Sequence, residues 1–144
     1  MVTVDSSLLQ SGEIEVVGRL VHASNASLFC RIRNSENECH AIYKPIAGER
    51  PLWDFPDGNL ASREVATYLA SETLDLKCVP LTILREGPFG LGSVQYWIED
   101  VEDVGERYSD RSSGLRKIAL LDAVVNNTDR KIGHLLYKGD QIFG

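Results

Sequence analysis

The stretch "VVNNTDRKIGHLLYKGDQIFG", residues 124–144, crowds Asn126, Asn127, Asp129, Arg130, Lys131 and His134 between an apolar run and a short hairpin signal. Just upstream, "LRKIALLDAVVNN" puts Leu115, Ile118, Leu121 and Val125 on one helical stripe, with Asp122 beside it. Downstream, Gly139 and Asp140 sit between two apolar pairs, the pattern of a tight hairpin. A polar loop at the end of an apolar helix is a place where a carboxylate can meet a reacting hydroxyl, and Asp129 is the candidate.

Working outward, residues 12–21, then "SLFCRIR" and "CHAIYKP", read as three short strands of an antiparallel meander. Leu28, Cys30 and Ile32 alternate with Phe29, Arg31 and Arg33, so one face is buried and the other partly polar; Ile42 and Lys44 share a face of the third strand. The Pro- and Gly-dense "AGERPLWDFPDGN" predicts a loop of functional length. A helix follows over "LASREVATYLASETL", capped by Asn59 or Asp57, with Val65, Tyr68 and Leu69 on its stripe. "VPLTILREG" and "GSVQYWIED" are two further strands, and the polar 101–114 segment is a linker or lid.

At 144 residues the chain fits one domain, and 43% hydrophobic with 25% charged residues is a globular composition. No apolar run reaches the roughly 18 residues of a membrane span. The first residues lack a basic and apolar leader, so the cytoplasm is the expected compartment. A net charge of −6 argues against broad attraction to nucleic acid or anionic lipid. Cys30, Cys39 and Cys78 form no paired motif, which argues for free thiols and against a disulfide framework or zinc site.

The order is strand, strand, strand with Lys, helix with Glu, two strands, linker, helix, Asp-bearing loop, hairpin. Phosphoryl transfer uses such parts: a cation on the phosphates, a carboxylate fixing it, a carboxylate near the attacking hydroxyl, and metal ligands. Lys44 and Glu64 are the first two candidates, although Lys44 also reads as a solvated edge-strand lysine. Ser24, Asn25, Ala26 and Ser27 form a small-residue turn that can cover phosphates or be a plain hairpin. Arg130 and Lys131 are candidates for phosphate charge and His134 for a divalent cation; equally, Asp129 reads as a loop residue and His134 as a half-buried strand residue.

The stretches "YKPIAGERPLWDFPDGN", "VPLTILREGPFGLGSVQYWIED" and "LLDAVVNNTDRKIGHLL" resemble the bacterial, chiefly actinobacterial, phosphatidylinositol 3- and 4-kinase-like proteins, over the chain from about Gly12 onward. The resemblance implies that Lys44 contacts the phosphates of ATP, that Glu64 pairs with it, and that Gln95, Trp97 and Ile98 form the hinge beside the adenine. It implies Asp129 as the catalytic carboxylate, with Lys131 where that loop has His and His134 where it has the metal-binding Asn. A Mg2+ or Mn2+ ion would accompany the nucleotide, and a second metal-binding Asp is expected past "QIFG".

The expectation is therefore an α+β, kinase-like fold: a single domain over 1–144, with an N-terminal sheet lobe and hinge over 12–100, the 101–114 linker and a partial C-terminal lobe over 115–144. The function expected is ATP-dependent phosphotransfer to an unknown acceptor, or nucleotide binding as a pseudokinase or interaction module. With so few helices after Gly114, the apolar stripe of Leu115, Ile118 and Val125 is expected to be exposed and to favour self-association.

Overall fold

The computed structural model describes residues 5–21, 25–51, 53, 57–103 and 113–144. The chain is α+β. In order it forms α1 (Ser6–Ser11), β1 (Glu13–Arg19), β2 (Leu28–Arg33), β3 (Glu38–Pro45), α2 (Leu60–Thr73), β4 (Thr82–Gly87), β5 (Gly90–Tyr96), β6 (Glu102–Asp103), α3 (Ser113–Val125), β7 (Leu136–Lys138) and β8 (Gln141–Phe143). Short 3-10 turns follow β3 at Ile46–Gly48 and precede β7 at Ile132–His134.

Among the described residues the strands make a five-stranded antiparallel sheet, β1-β2-β3-β5-β4, and a three-stranded sheet, β6-β7-β8. They lie in two compact units: Val2–Ala66 with Leu81–Trp97, and Thr67–Pro80 with Ile98–Gly144. The chain passes from one to the other within α2, at Pro80–Leu81 and at Trp97–Ile98.

In the sheet unit, directly opposed residues of an antiparallel pair share a face, so the register sorts the side chains. Leu28 opposes Tyr43 and Cys30 opposes Ala41; Tyr43 opposes Val94. These residues and Ile32 are fully or partly buried with Leu8 and Leu9 of α1. The sequence reading omitted α1, although Asp5 caps it by accepting from the Ser7 N–H at 2.9 Å. The Arg85 guanidinium fastens its far end, donating to the carbonyls of Leu9 (2.8 Å) and Gly12 (3.0 Å). The opposite face carries Lys44 beside Ser93, Ile42 beside Phe29 and Gln95, and Arg31 beside His40.

In the second unit α3 is not bare. Ile118 is 3% and Leu121 0% exposed, packed among Leu76, Cys78, Val79, Leu135, Tyr137 and Ile142, with Leu115 and Val125 half-buried at the margin. The expectation of an uncovered stripe is thus corrected: residues 76–79 after α2 and the β7–β8 hairpin supply the apolar surface that the stripe needs. Residues 67–80, which the sequence reading grouped with the sheet, pack instead with the C-terminal elements. On α2 the expected stripe is also adjusted, because Leu69 is exposed while Ala61 and Ser71 are buried. Cys30 and Cys78 are buried free thiols and Cys39 is half-buried; burial pushes the Cys30 thiol up to about 11 and raises that of Cys78.

No helix among the described residues is long and apolar enough to cross a membrane.

Candidate functional site

Strand β3 ends at a proline, and the residue before it is Lys44. Its side chain stands on the face of the sheet opposite α1, where the ammonium meets Glu64 of α2 with Nζ to Oε1 at 2.6 Å. The other Glu64 oxygen is also held: Ser93 Oγ, on β5 directly across from Lys44, donates to Oε2 at 2.6 Å. Ser93 is buried, and the Lys44 and Glu64 side chains are each 30% exposed. Glu64 therefore has both oxygens engaged and a fixed orientation. An ammonium has three donors, and the one on Glu64 leaves two for an anion. A charge-assisted contact of this kind is stronger than a neutral hydrogen bond.

The start of α2 is built to aim Glu64. Asn59, not Asp57, is its cap: Asn59 Oδ1 accepts from the Ser62 N–H at 2.7 Å. Glu49, at the end of the turn after β3, accepts from the N–H groups of Leu60 (3.0 Å) and Ala61 (2.8 Å). Between them these two side chains satisfy the N–H groups that a helix start leaves unpaired.

Around this centre, Asn25 Oδ1 accepts from the Arg50 N–H at 2.9 Å, and Ser27 is buried with its carbonyl accepting from the Leu20 N–H at 2.9 Å. The turn thus leans on the segment following Lys44; Ser24 lies outside the described residues. Gln95 shares the Lys44 face but spends an amide N–H on Thr82 Oγ1 at 2.9 Å. Trp97 stands edge-on to Phe29 with ring centroids 5.3 Å apart, and Phe29 stacks on His40 at 5.1 Å. Ile98 is 5% exposed and falls in the other unit.

The polar loop after α3 has a mainly structural explanation. Asn126 takes a left-handed φ of 55°, a conformation that Asn tolerates better than most residues, and the Asn127 N–H reaches back to the Asp122 carbonyl at 2.8 Å. This is a Schellman-type helix stop. The Asp122 carboxylate collects the rest: Arg130 donates to it through Nη2 (2.7 Å) and Nε (2.9 Å), and Asn127 through Nδ2 (3.0 Å). Burial alone would raise the Asp122 pKa, but the hydrogen bonds of Arg130 and Asn127 together with the Arg130 charge outweigh it and leave it lowered.

So Arg130, expected to face phosphate charge, is committed to Asp122, with side-chain exposures of 22% and 14% for the pair. Asp129, Lys131 and His134 remain exposed. Asp129 meets Lys131 at 3.4 Å in a solvated pair, its side chain 79% exposed, and its backbone N–H donates to Asn127 Oδ1 at 3.2 Å. Among the described residues no group of three or more His, Cys, Asp or Glu is placed to hold a metal ion. One carboxylate beside an ammonium, with an imidazole nearby in sequence, is a poor donor set for a hard cation that prefers oxygen ligands.

Ser93 and Glu49 are the positions the sequence reading missed. Ser93 lies across from Lys44 only through the β3–β5 pairing, and Glu49 reaches a helix that starts eleven residues later.

The chain is 35% identical over 178 aligned positions to Protein Rv2133c of Mycobacterium tuberculosis, an alignment covering 97% of this chain and 64% of that protein. It therefore spans less than two thirds of the relative's length. No protein-family model matches the chain, and no solved structure does.

Proposed function

We propose that this chain carries the nucleotide-phosphate site of an ATP-dependent phosphotransferase of the phosphatidylinositol 3-/4-kinase-like type, acting on an acceptor whose identity is open. The observation that carries the reading is the Lys44–Glu64 pair. Kinases hold the nucleotide phosphates with a lysine on the third strand of the sheet, kept in place by a glutamate on the following helix. Here the lysine ends β3, the glutamate is on the next helix, and the two are 2.6 Å apart. The element order of three strands, a helix, two strands, a connecting segment, a helix, a polar loop and a hairpin supports it further.

In this reading Lys44 neutralises phosphate charge, Glu64 keeps the ammonium in place beside β5, and Ser93 keeps Glu64 from turning away. Asp129 is the carboxylate available to a phosphoryl acceptor. ATP would supply the transferable phosphoryl group.

A second reading, nucleotide binding without transfer, is favoured by one observation: Arg130 is already neutralised by Asp122 and has no spare charge for a transition state. Titration calorimetry with ADP tests what the two readings share. Lys44→Ala is expected to weaken binding about ten- to a hundredfold, because a charge-assisted contact contributes about 1.5–3 kcal/mol. Wild-type protein that binds no ADP, or a Lys44→Ala variant that binds it equally well, would remove both. ATP turnover abolished by Asp129→Asn separates them in favour of the enzyme.

A further inference from the structure

We propose that Glu49 is a positioning residue that sets the rotation of α2 against β3, so that Glu64 meets Lys44. This deepens the phosphate-site reading above and rests on it. The connection from Lys44 to Glu49 is short and stiff: Pro45 is buried, Ile46–Gly48 forms a 3-10 turn, and the Glu49 N–H closes it on the Ile46 carbonyl at 3.0 Å. Gly48 is pressed close to Ala26, where an added Cβ would stand 2.6 Å from the Ala26 methyl, so the turn has little room to shift. Each end of this connection grips α2. Lys44 holds Glu64, and the Glu49 carboxylate holds the N–H groups of Leu60 and Ala61 through separate oxygens.

Leu60 and Glu64 are four residues apart, hence about 6 Å along the axis and nearly on one side of the helix. A helix tethered by one side chain can swivel about that contact. Held at two points a turn apart, one of them a carboxylate spanning two backbone N–H groups, it cannot rotate without breaking a charge-assisted bond. Asn59 caps the same helix start but belongs to the same segment as the helix, so it stabilises α2 without fixing it to β3. That contrast separates positioning from mere capping.

The test compares Glu49→Gln with Asn59→Ala in the full chain, reading thermal stability, the Lys44 15Nζ ammonium resonance at low temperature, the Lys44–Glu64 side-chain NOE, and the Kd for ADP. Both variants are expected to lower Tm to a similar extent. Only Glu49→Gln should lose the ammonium resonance and the NOE, with ADP bound about tenfold more weakly. Glu49→Asp, which keeps the charge but is one methylene shorter, should restore part of each signal, and it decides the question if Glu49→Gln does not fold. An intact resonance and NOE in Glu49→Gln, or in Glu49→Asp alone should that be the only folded variant, overturns the proposal. Wild-type protein that shows the pair and its Glu49 dependence but binds no ADP would instead overturn the phosphate-site reading and leave the positioning role standing.

Discussion

Replacing Asp122 with alanine is expected to destabilise the protein by about 3 kcal/mol, the scale for breaking a largely buried ion pair by removing one partner. The cost comes less from the lost attraction than from what is left behind. The Arg130 guanidinium has two donors on this carboxylate, and Asn127 has a third. Without the carboxylate, a guanidinium whose side chain is only 22% exposed keeps its charge and loses its partner, while the helix stop at Asn126 and Asn127 loses its anchor. Urea denaturation at neutral pH measures this. The double variant Asp122→Ala with Arg130→Met should recover part of the loss, since it removes the stranded charge. Acid reports the same contact in the wild type. The folded carboxyl has its pKa lowered from 3.8, so its contribution is fully present above that value and disappears as pH falls through the lower folded pKa. A loss in Asp122→Ala within about 0.5 kcal/mol, the range for an ordinary surface substitution, would show that the pair is incidental.

Gly92→Ala is expected to cost about 3 kcal/mol, lowering Tm by roughly 10 °C in a chain of this size. Gly92 opposes Pro45 on β3, and a methyl there would collide with the Lys44 carbonyl, with Pro45 Cα at 2.8 Å and with the Tyr43 ring at 2.8 Å. Neither backbone nor ring can yield cheaply. The ring is pinned by its hydroxyl, which donates to the Gly90 carbonyl at 2.6 Å and accepts from the Phe89 N–H at 3.2 Å. The collision pushes on the residue whose ammonium is argued to carry the function, so the variant should also lose ADP affinity in whatever fraction remains folded. Gly18→Ala is the control, because a methyl there meets nothing within 4 Å. Equal melting temperatures for the two alanine variants would contradict the packing described around Tyr43.

What could be read from the chain was local. The alternation of Leu28, Cys30 and Ile32 with Phe29, Arg31 and Arg33 gave the faces of β2, and the stripe Leu115, Ile118, Leu121, Val125 gave the apolar side of α3, though not that it is covered. Those periods follow from strand and helix geometry and need no knowledge of the rest of the fold. Non-local partners were harder. That Ser93 secures Glu64 depends on β5 lying beside β3, a pairing between segments about fifty residues apart. The cover over Ile118 comes from Leu76 and Cys78, which lie between the predicted helix and the next predicted strand, and from Val79, which reads as the start of that strand. Helix α1 escaped because six residues are too few to display a period, although an Asp before and a Gly after it mark its ends. In the polar cluster at residues 126–134, Asp129, Arg130, Lys131 and His134 drew chemical readings, whereas Arg130, together with Asn126 and Asn127, is accounted for by stopping α3 around Asp122. A short polar run after an apolar helix must first satisfy that helix's own carbonyls, and only the residues left over are free for chemistry.

The central claim, that Lys44 faces nucleotide phosphate, is tested most directly by an acyl-phosphate derivative of ATP. Such a reagent transfers its acyl group to a lysine amine lying next to the bound phosphates, forming an amide and releasing the nucleotide. The chain offers Lys44, Lys77, Lys117, Lys131 and Lys138 as targets, so peptide mass spectrometry compares the half-buried Lys44 of β3 with lysines elsewhere, of which Lys138 is also half-buried. The account predicts acylation concentrated on Lys44, suppressed by excess ATP or ADP and absent from Lys44→Ala. Acylation scattered over the exposed Lys77, Lys117 and Lys131, indifferent to competing nucleotide and sparing Lys44, would contradict it.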